Sequence, residues 1–137
     1  MLCAGKQMEN EARAELSIAL GTLIHEVGLF IDPEQPWLCC SPDGILDSDG
    51  RMCLVEINCP FSLKDKKLIN HEHEESFMPM MIMLYILGMR EAFLYYLFIT
   101  AKHHCMCRCD ETFLAEYMPE LETFYFKHFL SEIVNHT

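Results

Sequence analysis

The chain has 137 residues, 51% of them hydrophobic, which is enough for a single domain, residues 1–137, with its own core. Its formal net charge of −11 opposes broad electrostatic capture of nucleic acid, because neutralising phosphates needs Lys and Arg. The first residues carry no signal-peptide pattern, and the most apolar stretch, residues 77–100, is broken by Gly88-Met89-Arg90-Glu91 into pieces too short to cross a bilayer. A soluble intracellular protein, nuclear or cytoplasmic and not secreted, is expected, with no membrane partner. Eight cysteines in such a chain read as reduced thiols rather than a disulfide scaffold.

Taken in order, Met8, Ala12, Leu16, Ala19, Leu20 and Leu23 recur at helical spacing and predict an amphipathic helix from about Lys6 to His25, ended by Gly28. Leu29 to Ile31 reads as a short strand stopped by Asp32-Pro33. Two further strands, near Trp37–Leu46 and Arg51–Asn58, are joined through Asp47-Ser48-Asp49-Gly50, whose turn chemistry predicts a β-hairpin. Cys59-Pro60 closes the second strand, and Phe61 to Glu75 is a polar connection. Ser76 is expected to cap a helix running to Leu87, with Pro79 in its first turn and Gly88 ending it. Ala92–Thr100 is β-branched and aromatic, and His103–Cys109 alternates well enough to pair with it. A last helix is expected from Thr112 to about Val134, with Pro119 placed to interrupt it. Helix, strands, helix, strands, helix is the order of an α/β (α+β) domain: a mixed sheet with helices packed on it.

The chemistry concentrates in the hairpin. Asp43 sits in a tight Ser41-Pro42-Asp43-Gly44 turn, and thirteen residues later Glu56 sits between Val55 and Ile57 in an apolar strand. A hairpin brings the two carboxylates within reach of one divalent cation. Side chains alternate along a strand, so Glu56 and Asn58 share a face while Val55 and Ile57 point to the core. Aspartate also serves turns for its own hydrogen bonds, and a strand glutamate can simply be solvated. It is the pairing that favours a metal site over either. Two carboxylates and a third polar group on one edge build a Mg²⁺-dependent phosphodiesterase. The third group is usually lysine; here it is Asn58.

The other polar clusters have simpler readings. Glu9 on the first helix stands four residues before Arg13, the spacing of a weakly stabilising surface pair. Cys105, Cys107 and Cys109 beside His103 and His104 lack the spaced pairs of structural zinc sites and read as a small hydrophobic stripe. His71 and His73 read as a solvated loop, and Met78, Met80, Met81 and Met83 as core filling. Lys64, Lys66 and Lys67 form the one dense basic cluster and follow the hairpin closely, which makes them the candidates for contact with DNA.

Gly5-Lys6-Gln7-Met8-Glu9-Asn10-Glu11-Ala12, then Pro36-Trp37, Ser41-Pro42-Asp43-Gly44 and Glu56-Ile57-Asn58-Cys59-Pro60, together resemble the YqaJ viral-recombinase family. That family includes lambda exonuclease, within the PD-(D/E)xK nuclease superfamily. Met118-Pro119-Glu120-Leu121 and Phe124-Tyr125-Phe126 resemble the closing helix of its animal members, so the likeness runs from about Gly5 to Val134. It implies a restriction-endonuclease-like mixed sheet flanked by helices. It further implies that Asp43, Glu56 and the Ile57 carbonyl ligate Mg²⁺ or Mn²⁺, with Glu9 completing the site, and that the chain degrades linear duplex DNA 5′→3′ in recombination. A homo-oligomer is compatible with it.

Three departures accompany the resemblance. The motif lysine is Asn58, which keeps a hydrogen-bond donor and loses the cation; loss of one such stabiliser typically costs about 10²–10³ in rate. Glutamines that relatives carry on the helix before the last hairpin fall near Pro79, Met81 and Met83. The family's segment upstream of the first site helix has no counterpart, implying an N-terminally truncated domain. Two functions are therefore expected: a nuclease domain with weakened catalysis, or a non-catalytic module that keeps the fold to bind DNA or a protein.

Overall fold

A computed structural model describes residues 2–58, 72–97 and 102–136. The first helix, α1 (Leu2–Leu20), stops five residues short of the predicted His25. Gly21 adopts φ +65°, and paired bonds from the Gly21 and Thr22 amides to the Ile18 and Ser17 carbonyls (both 3.2 Å) satisfy the last turn. Only glycine enters that left-handed conformation without steric cost, so Gly21, and not Gly28, ends the helix. The residues released, Ile24–His25, form a two-residue strand, β1.

The predicted strand Trp37–Leu46 is divided. Cys39–Cys40 (β3) pairs antiparallel with Phe30–Ile31 (β2) in a separate ribbon, while Gly44–Ser48 (β4) joins the main sheet. Ser41-Pro42-Asp43 lies between them and belongs to neither strand. The reason is local: Pro42 has no N–H to give a ladder, and the turn redirects the chain. The hairpin itself is as read. Ser48 faces Arg51 across a two-residue turn in which Asp49 (φ 53°) and Gly50 (φ 83°) are both left-handed, and Asp47 Oδ1 accepts the Gly50 N–H at 3.0 Å.

β5 (Arg51–Asn58) is central, and the main sheet runs β1-β4-β5-β6-β7. It is antiparallel except between β5 and β6 (Glu91–Leu97), which are parallel. Within that crossover lies α2 (Glu72–Leu87), which begins four residues before Ser76, so Ser76 is not its cap, and Pro79 lies mid-helix. Gly88 at φ +64° ends it as expected. β7 (Lys102–Arg108) pairs antiparallel with β6. The last helix, α3 (Glu111–Phe124), is capped by Asp110, whose side chain accepts the Phe113 N–H at 2.9 Å. It passes through Pro119 unbroken; the irregularity comes later, as a π-turn over Tyr125–Phe129 before α4 (Leu130–Asn135).

Both faces of the sheet are covered. Ala12 and Leu16 of α1 pack on Leu46, Cys53, Val55, Ile57, Phe93 and Tyr95. Met80, Met81 and Leu84 of α2, with Leu114 of α3, pack on Leu54, Ala92 and Leu94 of the opposite face. Met80 and Met81 are 2% and 0% exposed, so the methionine run does fill core. Cys105, Cys107 and Cys109 lie partly buried against the same cluster, as the hydrophobic-stripe reading expected. Glu56 therefore does not stand on an open face: Leu54, its neighbour on that side of β5, is fully buried, and from Glu56 the face opens toward Asn58. Among the described residues no helix is long and apolar enough to cross a membrane.

Candidate active site

The site lies where β4 and β5 part. Gly44 faces Val55, and continuing that register would set Asp43 against Glu56 and Pro42 against Ile57. The ladder cannot close there, because Pro42 has no amide proton. Instead the Ile57 N–H is taken by Asp43 Oδ2 at 2.7 Å, a short charge-assisted bond that fixes the aspartate at the fork. In an extended strand a residue's N–H and C=O point to the same edge, so the Ile57 carbonyl also faces the fork, opposite a residue with no donor. Gly44 is required at the next step: a Cβ there would stand 2.5 Å from Ile24 Cγ2 and 3.4 Å from the His25 carbonyl.

Glu56 closes the fork from the strand. Its Oε1 lies 3.3 Å from the Asp43 amide, which donates to it. Burial, and then the Asp43 charge beside it, push the Glu56 carboxyl up to about 8. Burial also raises Asp43, with the Glu9 charge adding to it, while the Ile57 N–H and Arg13 pull the other way. Burial and the mutual repulsion of the two acids favour keeping one proton on the pair at neutral pH. Two acids forced together in a half-buried fork form a site that gains by receiving a cation.

Glu9 faces this pair from α1 and adds negative potential to both acids. Its Oε1 is held 2.7 Å from Arg13 Nη2. The spacing suggested a surface pair, and here burial corrects that reading: Arg13 is only 8% exposed, the one buried charged side chain among the described residues. Its guanidinium also donates to Asn10 Oδ1 (2.9 Å) and, through Nε, to the Asp43 carbonyl (2.8 Å), with Glu26 3.8 Å away. Arg13 thus ties α1 to the turn that carries Asp43. The available signal was its position, between Glu9 and Leu16 at helical spacing, at the edge of the buried stripe. Beneath the fork, Cys40 is buried and its thiol is raised by burial and by the nearby Cys39 and Glu56, which keeps it neutral.

Asn58 ends β5 half-buried, on the side of Glu56. Lys64, Lys66 and Lys67, with Cys59, Pro60 and His71, lie outside the described residues. Among the described residues no three His, Cys, Asp or Glu side chains converge on one metal position. Among the described residues the fork offers two carboxylates, Asp43 and Glu56, with the Ile57 carbonyl as a further oxygen on the same side. All are hard oxygen donors, the set that suits Mg²⁺ or Mn²⁺ rather than a thiophilic ion.

The fold is a mixed α/β sheet flanked by helices, and it matches that of alkaline exonucleases. The alkaline exonuclease LHK-Exo from Laribacter hongkongensis superposes with a TM-score of 0.77 at 21% identity, over 96% of this chain and 72% of that one. The same protein in complex with dAMP gives 0.71 at 22% identity, over 93% and 72%. A third structure, SSO0001, gives 0.52 at 21% identity, over 86% and 59%. None of the curated proteins matches the chain in sequence. The YqaJ-like viral recombinase domain model matches residues 2–103, three-quarters of the chain, and the chain belongs to that family.

Proposed function

We propose that the chain is a divalent-metal-dependent nuclease domain of DNA recombination, hydrolysing phosphodiester bonds at the ends of linear duplex DNA in the 5′→3′ direction. The observation that carries this is the Asp43–Glu56 pair at the β4/β5 fork, two acids held side by side by the Ile57 and Asp43 amides, next to a backbone carbonyl that faces a residue with no donor. Family membership and the exonuclease fold support a nuclease or recombination role.

Asp43, Glu56 and the Ile57 carbonyl would hold Mg²⁺ or Mn²⁺. When bound, such an ion supplies Lewis-acid polarisation of a phosphate and a more acidic water. The chain's own residues do the rest. The Ile57 N–H fixes Asp43, so its free oxygen has a defined direction, and Glu56 gives up its shared proton when a cation replaces it. Arg13 holds the turn and Glu9 in one unit with α1. Asn58 can donate an amide hydrogen bond to a phosphate oxygen or a water on the Glu56 side, without the charge a lysine would bring, so catalysis is weakened.

Asn58 and the net charge of −11 favour a second reading, a non-catalytic module that binds DNA or a protein through the same fold. Duplex DNA labelled at one 5′ end, incubated with the protein and Mg²⁺ or Mn²⁺, separates them. Release of the label as a mononucleotide, lost in Asp43→Asn, supports the nuclease. Metal binding without cleavage supports the module.

A further inference from the structure

Three of the chain's four arginines, Arg51, Arg90 and Arg108, lie far apart in sequence and line one cavity of about 660 Å³. The topology gathers them. Arg51 begins β5, Arg90 immediately precedes β6 and Arg108 ends β7, and these three strand ends meet at one end of the sheet. This end is the opposite one from the carboxylate fork: Arg51 and Glu56 are five residue steps apart along β5, about 17 Å. In a chain with eleven more acidic than basic residues, such a concentration of guanidinium groups stands out.

The cavity runs into a second one of about 540 Å³, with which it shares Gly88, Met89, Arg90, Cys109 and Glu111. The second part is apolar, walled by Leu84, Leu114, Met118 and the ring of Tyr85. Charge is not fully compensated. Arg108 lies 3.9 Å from Glu91, a loose and solvent-exposed contact worth little, and with Glu111 the lining still carries one net positive charge.

We propose that this groove binds a phosphate-bearing nucleotide, the guanidinium groups taking the phosphate and the apolar trough taking the base and sugar. Three guanidinium groups lining one groove offer more donors than a carboxylate can use, whereas a tetrahedral phosphate accepts several donors and carries up to two charges. Each cavity is of the size that encloses a small ligand. Glu91 and Glu111 accept hydrogen bonds from base amino or sugar hydroxyl groups, and they also make the groove a poor track for a long polyanion. The phosphate belongs either to a free 5′-mononucleotide or to the end of a strand; the groove's chemistry is common to both.

The test uses the whole chain in EDTA, so that the fork holds no cation and the result does not depend on hydrolysis. Inorganic phosphate, dTMP and a single-stranded eight-nucleotide oligo(dT) with a 5′-phosphate are titrated by calorimetry and by amide chemical shifts. Phosphate and dTMP are expected to bind with shifts at Gly88–Glu91 and Arg108–Glu111, dTMP more tightly by about tenfold because the trough adds base burial. In an Arg51→Gln, Arg90→Gln, Arg108→Gln variant the affinity is expected to fall at least tenfold. These side chains are at the surface, so thermal unfolding should be unchanged. An Asp43→Asn, Glu56→Gln variant should bind as the parent does, which separates this groove from the fork. Tighter binding of the oligonucleotide than of dTMP, lost in the triple variant, assigns the phosphate to a strand end. No binding of any probe up to about 10 mM, or binding unchanged in the triple variant, overturns the proposal.

Discussion

Asp43 takes the Ile57 N–H at 2.7 Å, the donor that would have met the residue 42 carbonyl had the β4–β5 ladder continued. A side chain thus replaces a backbone partner, and the bond holds a carboxylate at the fork. An Asp43→Asn substitution keeps the shape and removes the charge-assisted character of that bond. It also relieves the repulsion at Glu56, so Glu56 should titrate at a lower pH than in the parent. Following the Glu56 carboxyl by carbon-detected NMR across pH 4 to 9 checks this; an unmoved Glu56 titration would show that burial alone raises it.

The shared proton makes stability depend on pH in a defined sense. Glu56 has a folded value of about 8 against an ordinary 4.5, so the folded state binds more protons than the unfolded chain between those values. Stability therefore falls as pH rises through that window and is insensitive to this group below it. A loss of roughly 2–4 kcal/mol is expected between pH 5 and 8 for the metal-free protein, visible in urea unfolding. Glu56→Gln should flatten the slope. Mg²⁺ or Mn²⁺ should raise the melting temperature most at the alkaline end, because a cation takes the place the proton leaves. An equal shift in the parent and in a protein lacking both fork acids would remove the shared-metal assignment.

Arg13 was legible as a residue but not as a buried one. Its spacing from Glu9 names the pair, while only the packing of α1 on Val55 and Ile57 decides that the guanidinium is buried and Glu9 stays about a third exposed. Leaving Glu9 without its guanidinium should cost about 3 kcal/mol, a drop of roughly 10 °C in Tm for Arg13→Gln. Arg13→Lys should recover only part, since a point ammonium cannot bond Glu9, Asn10 and the Asp43 carbonyl with one planar group. A loss under 1 kcal/mol would return Arg13 to the surface-pair class.

Gly44 supports the fork by having no side chain. An added Cβ would stand 2.5 Å from Ile24 Cγ2, so the buried Ile24 side chain must give way before residue 44 can be larger. Gly44→Ala should destabilise by about 1–3 kcal/mol and weaken metal binding together with stability. An unchanged unfolding midpoint would show that β1 yields freely.

The sequence disclosed the hairpin turn, the central strand and the two acids because each depends on local chemistry: Asp49-Gly50 favours left-handed φ, and a carboxylate in an apolar strand stands out. It misplaced what depends on partners. Gly21 and Gly28 look alike as helix stops until the Ser17 and Ile18 carbonyls select the first. The run Trp37–Leu46 holds the Ser41-Pro42-Asp43-Gly44 turn between two apolar pieces, and only pairing shows that β2 takes one piece and β5 the other. The arginine groove was invisible because residues 51, 90 and 108 meet only after β5, β6 and β7 are laid side by side.

Asn58 is the residue on which the two functional readings divide. It ends β5 on the same side as Glu56, so a lysine there would bring an ammonium to the fork's open end without entering the core. Asn58→Lys should raise Mg²⁺-dependent release of a 5′-end label from linear duplex DNA by about 10²-fold over the parent, if the missing cation is the only defect. The helix over that face sets a limit: among its described residues Met81 is fully buried and Pro79 has no amide proton to donate. A gain of only a few fold, with metal affinity unchanged, would place the remaining deficit on α2. Efficient cleavage by the parent, with no gain from lysine, would show that Asn58 already does the work of the cation. Metal binding with no cleavage in either protein would favour the non-catalytic module.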